Sequence, residues 1–110
     1  MKNTIDLQST YLKIVLQILQ KHLPPKATVS LFGSRATGKA KKFSDIDLVI
    51  EAEKPISNEI LVALANDFEE SDLPYKVDIV DWATIDNAFQ DRIKNDKILI
   101  FPPINPAKIL

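Results

Sequence analysis

The sequence predicts an α+β domain: a mixed sheet of three to four strands with helices packed on one face. Three observations carry that expectation. Apolar residues recur at helical spacing early in the chain, short apolar runs bounded by Gly or Pro follow, and only about a dozen residues join the first two of those runs. A crossover between parallel strands usually needs at least ~10–12 residues including a real helix, so a parallel pairing of that first pair would be strained. The sheet is therefore expected to be mixed.

From Leu7 to Leu23 the apolar positions Leu7, Tyr11, Ile14, Val15, Ile18 and Leu19 follow a 3.6-residue period, with Lys13, Gln17 and Gln20 on the other face. An amphipathic helix stopped by Pro24-Pro25 is expected. Thr28–Phe32 reads as a strand ending at Gly33, and Gly33 to Ser44 as a polar, cationic loop with room for one helical turn. Ile46–Ile50 is a second strand. Pro55 and Ser57 mark the start of a second helix that buries Ile60, Leu61, Leu64, Ala65 and Phe68, and Pro74 follows its end. Lys76–Val80 alternates as a third strand, Thr84 is the expected cap of a short helix through Ile93, and Ile98–Phe101 is a fourth strand or an edge segment. The residues from Pro102, three of them proline, cannot continue a ladder.

Composition narrows the function classes. A chain of 110 residues forms one domain, expected over 1–101 with a Pro-rich tail at 102–110. At that size roughly 60% or somewhat more of the unfolded surface is buried, enough for one core and no second lobe. With 14 Lys and Arg against 15 Asp and Glu, there is no domain-wide basic excess for bulk binding to nucleic acid. The absence of Cys removes disulfides, thiol nucleophiles and thiolate-held zinc. No signal-type start and no apolar run near the ~20 residues of a membrane span are seen, so a cytoplasmic protein is expected.

Both glycines of the chain fall in Gly33-Ser34-Arg35-Ala36-Thr37-Gly38. A glycine just after a strand lets the backbone approach a ligand, and successive N–H groups in such a turn can hold an anion. The stretch 33–44 also carries Arg35, Lys39, Lys41 and Lys42 and no acid, which suits a polyphosphate. Asp45 and Asp47 stand two apart on a strand, so both point away from the face taken by Ile46, Leu48 and Ile50. Asp78 has the same relation to Val77 and Ile79. If the two strands pair, three carboxylates converge, and like charges that close repel unless a cation lies among them. The set reads as a hard-metal site for Mg²⁺, with phosphate oxygens completing the shell.

The segment Gly33 to Ala40 nearly matches a phosphate loop of the G-x-x-x-x-G-K-[S/T] type, but Ala40 lacks the metal-binding hydroxyl and no helix fits between Lys39 and Asp45. Taken together, Gly33-Ser34, ten intervening residues, Asp45-Ile46-Asp47 and the later Asp78 resemble the nucleotidyltransferase superfamily of DNA polymerase beta, poly(A) polymerases and aminoglycoside adenylyltransferases. Within it, Gly-Ser-Arg-Ala-x-Gly and Ser44-Asp45-Ile46-Asp47-Leu48 look like the minimal nucleotidyltransferases (MNT), single-domain proteins often encoded beside a helical HEPN partner. The likeness spans Val29 to about Trp82; many members have Arg where Thr37 stands here.

The resemblance implies a polymerase beta-like fold and an Mg²⁺-dependent transfer of NMP, expected to be AMP from ATP, onto a hydroxyl of a HEPN protein in a toxin–antitoxin pair. It implies that Asp45, Asp47 and Asp78 hold two Mg²⁺ ions, about 3.5–4 Å apart in such sites. Gly33 and Ser34 would cradle the β- and γ-phosphates assisted by Arg35, and Asp78 would help take the hydroxyl proton. Lys39, Lys41 and Lys42 are further candidate phosphate partners. The competing reading is a binding protein that keeps the nucleotide site but acts on its helical partner by contact alone; three mutually repelling carboxylates argue against it. The remaining conspicuous residues carry less. His22, at a helix end, is expected to meet the helix dipole or water, and Tyr75 and Trp82 are expected to be core or rim aromatics before base-stacking ones.

Overall fold

The computed structural model describes residues 5–103. The chain runs α1 (Ser9–His22), β1 (Thr28–Phe32), α2 (Ser34–Thr37), β2 (Ile46–Glu51), α3 (Asn58–Glu70), β3 (Val77–Asp81), α4 (Asn87–Ile93) and β4 (Ile98–Phe101). The four strands form one sheet in the order β3-β2-β1-β4. The short connection between β1 and β2 gives an antiparallel pair, β4 adds antiparallel to the far side of β1, and β2 and β3 are parallel. A parallel pair needs a crossover, and α3 supplies it. Ile98–Phe101 is thus the fourth strand. The expected tail lies almost wholly outside the described residues.

Local chemistry sets the element ends. Pro24 and Pro25 cannot donate, so α1 closes with the Leu23 N–H on the Leu19 carbonyl. Ser57 caps α3 by accepting from the Ile60 N–H at 3.3 Å. The cap of α4 differs from expectation. Asp86, not Thr84, accepts the Phe89 N–H at 2.8 Å, because Thr84 is tied into a preceding turn where its hydroxyl donates to the Asp81 carbonyl.

The longer helices α1 and α3 pack on one face of the sheet, as expected, and the short α4 covers part of the other. Val15 and Leu19 of α1 and Leu64 and Phe68 of α3 pack on Val29, Leu31, Ile46, Leu48 and Ile50. Each fully buried aliphatic side chain of that core contributes about 1.5–3 kcal/mol. Ala65, expected in this core, is exposed on α3. On the other face α4 lays Ile93 and Phe89 against Phe32, Val49 and Val80, with Phe32 and Phe89 meeting edge to face at 5.8 Å. The second face is therefore apolar toward its middle and acidic toward Asp47 and Asp78.

Two polar contacts brace this frame, the first buried and the second part-buried. Asp81 is 4% exposed and accepts the Ile56 N–H at 2.7 Å and the Ala83 N–H at 3.0 Å, fastening the approach to α3 onto the end of β3. His22 Nε2 lies 2.6 Å from Asp67 Oδ2, joining the end of α1 to α3, and Lys21 Nζ lies 3.4 Å from the same oxygen. His22 is thus a structural residue. No helix among the described residues is long and apolar enough to cross a membrane.

The hydrogen bond from His22, then the charge of Lys21, hold the Asp67 carboxyl below its ordinary pKa of 3.8. A lowered carboxyl pKa stabilises the fold above the unfolded value and ceases to do so as pH falls through the folded one. Asp67→Asn should therefore melt lower than the wild type at pH 7, with the gap closing as thermal scans move from pH 5 toward pH 3.

Candidate functional site

The site begins with strand register. Parallel pairing sets Asp47 of β2 opposite Asp78 of β3, and antiparallel pairing sets Phe32 of β1 opposite Asp47. Gly33 follows Phe32 directly, so the chain turns into α2 beside the Asp47 carboxylate. Gly33 has φ +74°, a conformation L side chains rarely adopt, and an added Cβ would collide with Asp47 Oδ2 and lie 3.1 Å from its Cγ. The backbone conformation requires glycine here, and a side chain would in addition displace the Asp47 carboxylate. The space it leaves is partly filled by a carboxylate of the site, where the sequence reading expected phosphate alone. Gly38 ends the turn at φ +78° with open space around its missing Cβ.

These residues line a cleft of about 650 Å³. Gly33 and Thr37 come from one side, Asp47 and Asp78 from the sheet, and Phe89, Arg92, Ile93 and Asp96 from α4 and the turn after it. Asp45 stands exposed just before β2, and neither it nor Ser34 is on the cleft wall. Burial, then the charges of Asp78 and Asp45, raise the Asp47 carboxyl from 3.8 to about 6. Lys76 Nζ stands 3.6 Å from Asp78 Oδ1 at the solvent edge, where such a pair contributes little.

The expected convergence of three carboxylates is only partly met. Asp47 and Asp78 are brought side by side on one sheet face, whereas among the described residues no three Asp, Glu, His or Cys side chains form a ready-made metal cage. The physical reason is Asp45's place ahead of the ladder, where no cross-strand bond fixes it on the cleft wall. The donors fit a hard cation nonetheless: they are all carboxylate oxygens, and two of the charges raise the proton affinity of the third. A cation would reverse that effect, and ligand oxygens would complete its shell.

Arg35 departs most from expectation as a nucleotide contact. It is 4% exposed, with Nε donating to the Ser44 carbonyl at 3.0 Å and Nη1 to the Asp6 carbonyl at 2.7 Å. Its guanidinium carbon lies 4.0 Å from the centre of the Tyr75 ring, and Tyr75 meets Tyr11 edge to face at 5.7 Å. Arg35 therefore ties the two ends of the glycine–lysine loop to the chain's start. Lys39, Lys41 and Lys42 do not line the cleft, Tyr75 serves as the platform for Arg35, and Trp82 packs beside α4 under Lys97.

The residues the sequence reading missed are Phe89, Arg92 and Asp96. Their spacing with Ile93, at i, i+3, i+4 and i+7 from Phe89, is a helical stripe that marks one face.

A family model described as polymerase beta nucleotidyltransferase matches residues 13–103. A Haemophilus influenzae protein named "Probable protein adenylyltransferase MntA" is 46% identical over 96 residues, covering 87% of this chain and 83% of its own. A Methanocaldococcus jannaschii relative, 36% identical over 84 residues (76% and 87% of the two chains), also has protein adenylyltransferase in its name, again provisionally. Two solved structures share the fold. One is a toxin–antitoxin complex with AMP-PNP, with a TM-score of 0.70 and 21% identity over 89% of this chain and 77% of that one. The other is the tri-AMPylated Shewanella oneidensis HEPN toxin with its MNT antitoxin, with a TM-score of 0.64 and 22% identity over 84% and 71%.

Two substitutions separate structural from site roles. A carboxyl whose pKa is raised on folding opposes folding above that pKa, and the opposition disappears below the unfolded value. In EDTA at pH 7.5, Asp47→Asn should melt a few degrees above the wild type, corresponding to on the order of 1 kcal/mol after solvent screening, with the gap gone near pH 4. Arg35→Ala should lose about 2–4 kcal/mol by urea unfolding, since buried charged hydrogen bonds are removed. A phosphate-binding arginine on the surface would leave stability almost unchanged.

Proposed function

The chain belongs to the polymerase beta nucleotidyltransferase family, and from that premise we propose that it is a protein adenylyltransferase that moves AMP from ATP onto a hydroxyl of a HEPN-type partner in a toxin–antitoxin pair. The observation that carries this reading is the Asp47–Asp78 pair, opposed in register and beside a glycine turn in one cleft. Adenylyl transfer to protein is the activity in the names of the two curated relatives. The HEPN partner follows from the minimal-nucleotidyltransferase motifs at Gly33–Gly38 and Ser44–Leu48.

The chain's residues divide the work. Gly33 keeps the turn free of a side chain where triphosphate meets the acidic strand, and Ser34 follows it at the start of the helical turn. Mg²⁺ held by Asp47 and Asp78 with Asp45, as two ions in this reading, would supply charge neutralisation of the triphosphate and of the attacking oxygen. The acceptor hydroxyl oxygen forms a bond to the α-phosphorus while the bond from that phosphorus to the bridging oxygen of the β-phosphate breaks, and pyrophosphate departs. The proton of the hydroxyl passes to a carboxylate oxygen of Asp78. In this reading the domain presents the nucleotide and the partner supplies both the hydroxyl and its orientation; orientation can contribute several kcal/mol.

The test is transfer of α-labelled phosphate. Incubated with α-labelled ATP, Mg²⁺ and a HEPN-type partner, the wild type should label the partner, and Asp47→Asn should cut the rate at least a hundredfold. With the partner omitted, labelling of small free hydroxyl compounds should be close to zero. Tight association with the partner and no label in it would support the contact-only reading instead.

A further inference from the structure

The cleft gathers negative charge: Asp47, Asp78 and Asp96 line it. A nucleoside triphosphate adds more, and the cations expected to meet it are elsewhere. Arg35 is buried and off the wall, with Nε and Nη1 turned to Ser44 and Asp6 and Nη2 without a partner among the described residues, and Lys39, Lys41 and Lys42 are off the wall too. Thr37 does line the cleft, but it is neutral, and its hydroxyl donates to the Gly33 carbonyl at 3.2 Å.

One cation lines the cleft among the described residues, and it is Arg92 of α4. It is exposed, and among the described residues it makes no ion pair, although Asp91 precedes it and Asp96 follows one turn on. Asp91 is instead paired with Lys94 at 3.3 Å. The Arg92 guanidinium carbon lies 5.1 Å from the centre of the Phe89 ring, whose face restrains it while its N–H donors stay free. A planar fork with five donors and no acceptor matches phosphate oxygens, which it can take two at a time.

We propose that Arg92 is the cleft's phosphate-binding cation, taking the β,γ-phosphate part of the nucleotide, with Phe89 as its positioning residue. The proposal rests on the nucleotidyltransferase reading. The carboxylates mark where a cation and the reacting α-phosphorus lie, so the free cation on the other element is left for the departing pyrophosphate. Charge grows there as the bond to the α-phosphorus breaks, and a fixed guanidinium opposes that charge most strongly in the transition state.

Calorimetric titration of the full chain with Mg²⁺-ATP and Mg²⁺-AMP tests this, using wild type, Arg92→Gln, Arg92→Lys and, as a charge-matched control on the same segment, Lys94→Gln. Arg92→Gln should weaken ATP at least tenfold and AMP less than threefold; Arg92→Lys should fall between, because it keeps charge but loses the fork. Lys94→Gln should bind as the wild type does. Thermal midpoints without nucleotide should agree within about two degrees, since Arg92 is exposed. Equal ATP affinity in wild type and Arg92→Gln overturns the proposal and leaves the family activity standing. So does an equal loss for ATP and AMP, or an equal loss in Lys94→Gln. A wild type that binds no Mg²⁺-ATP overturns this assignment together with the functional reading beneath it.

Discussion

Two carboxylates that repel each other are held side by side because β2 and β3 pair in parallel with Asp47 opposite Asp78. Much of the structure serves that pairing. The crossover helix α3 makes it topologically available, and the apolar side of β2, Ile46, Leu48 and Ile50, buries completely against α1 and α3. That burial stabilises the register against the electrostatic repulsion on the opposite face. A slip of one residue would place the acids in the core, so the hydrophobic pattern itself enforces their proximity. Asp81 secures the end of β3 through the approach to α3, which fixes the same register from its far end.

Cations are distributed according to a different need. The single arginine of the glycine loop serves as scaffolding, buried between two carbonyls and an aromatic ring, and its loop carries the cluster of lysines outward. The cleft is left acidic apart from the helix that closes its side. Such a site is electrostatically unfavourable while empty of cation, and under the proposed function a metal and a phosphate together would relieve it. In that reading, repulsion present in the free protein would let binding free energy be expressed where charge changes during nucleotidyl transfer.

Much of this was legible in the sequence because it depends on local pattern. The 3.6-residue period of α1, the alternation around Asp47 and Asp78 and the confinement of both glycines to one turn each have a one-dimensional signature. The antiparallel pairing of β1 and β2 was readable from the length between them. What escaped was set by tertiary placement. Nothing near Arg35 in the sequence indicates that Asp6 and Tyr75 will enclose it. Asp45 and Asp47 look equivalent on an ideal strand, yet the ladder begins between them, so one is held at the cleft and the other stands free. Thr84 and Asp86 are both competent caps, and the turn built on Asp81 decided between them. The role of α4 was hidden because its covering of the second sheet face follows from the sheet's order, which local periodicity does not encode.

Asp47 is an acid whose charge is opposed by burial and then by Asp78 and Asp45, an opposition that a bound cation would reverse. Titrating its side-chain carboxyl carbon by NMR, in protein labelled at that position, reads this directly. Without divalent metal the midpoint should lie at about 6, and saturating Mg²⁺ with a non-hydrolysable ATP analogue should move it below the ordinary carboxylate range, because the bound cation favours the ionised form. A midpoint near 4 in the free protein that does not move when metal and nucleotide are added would contradict the account at its centre.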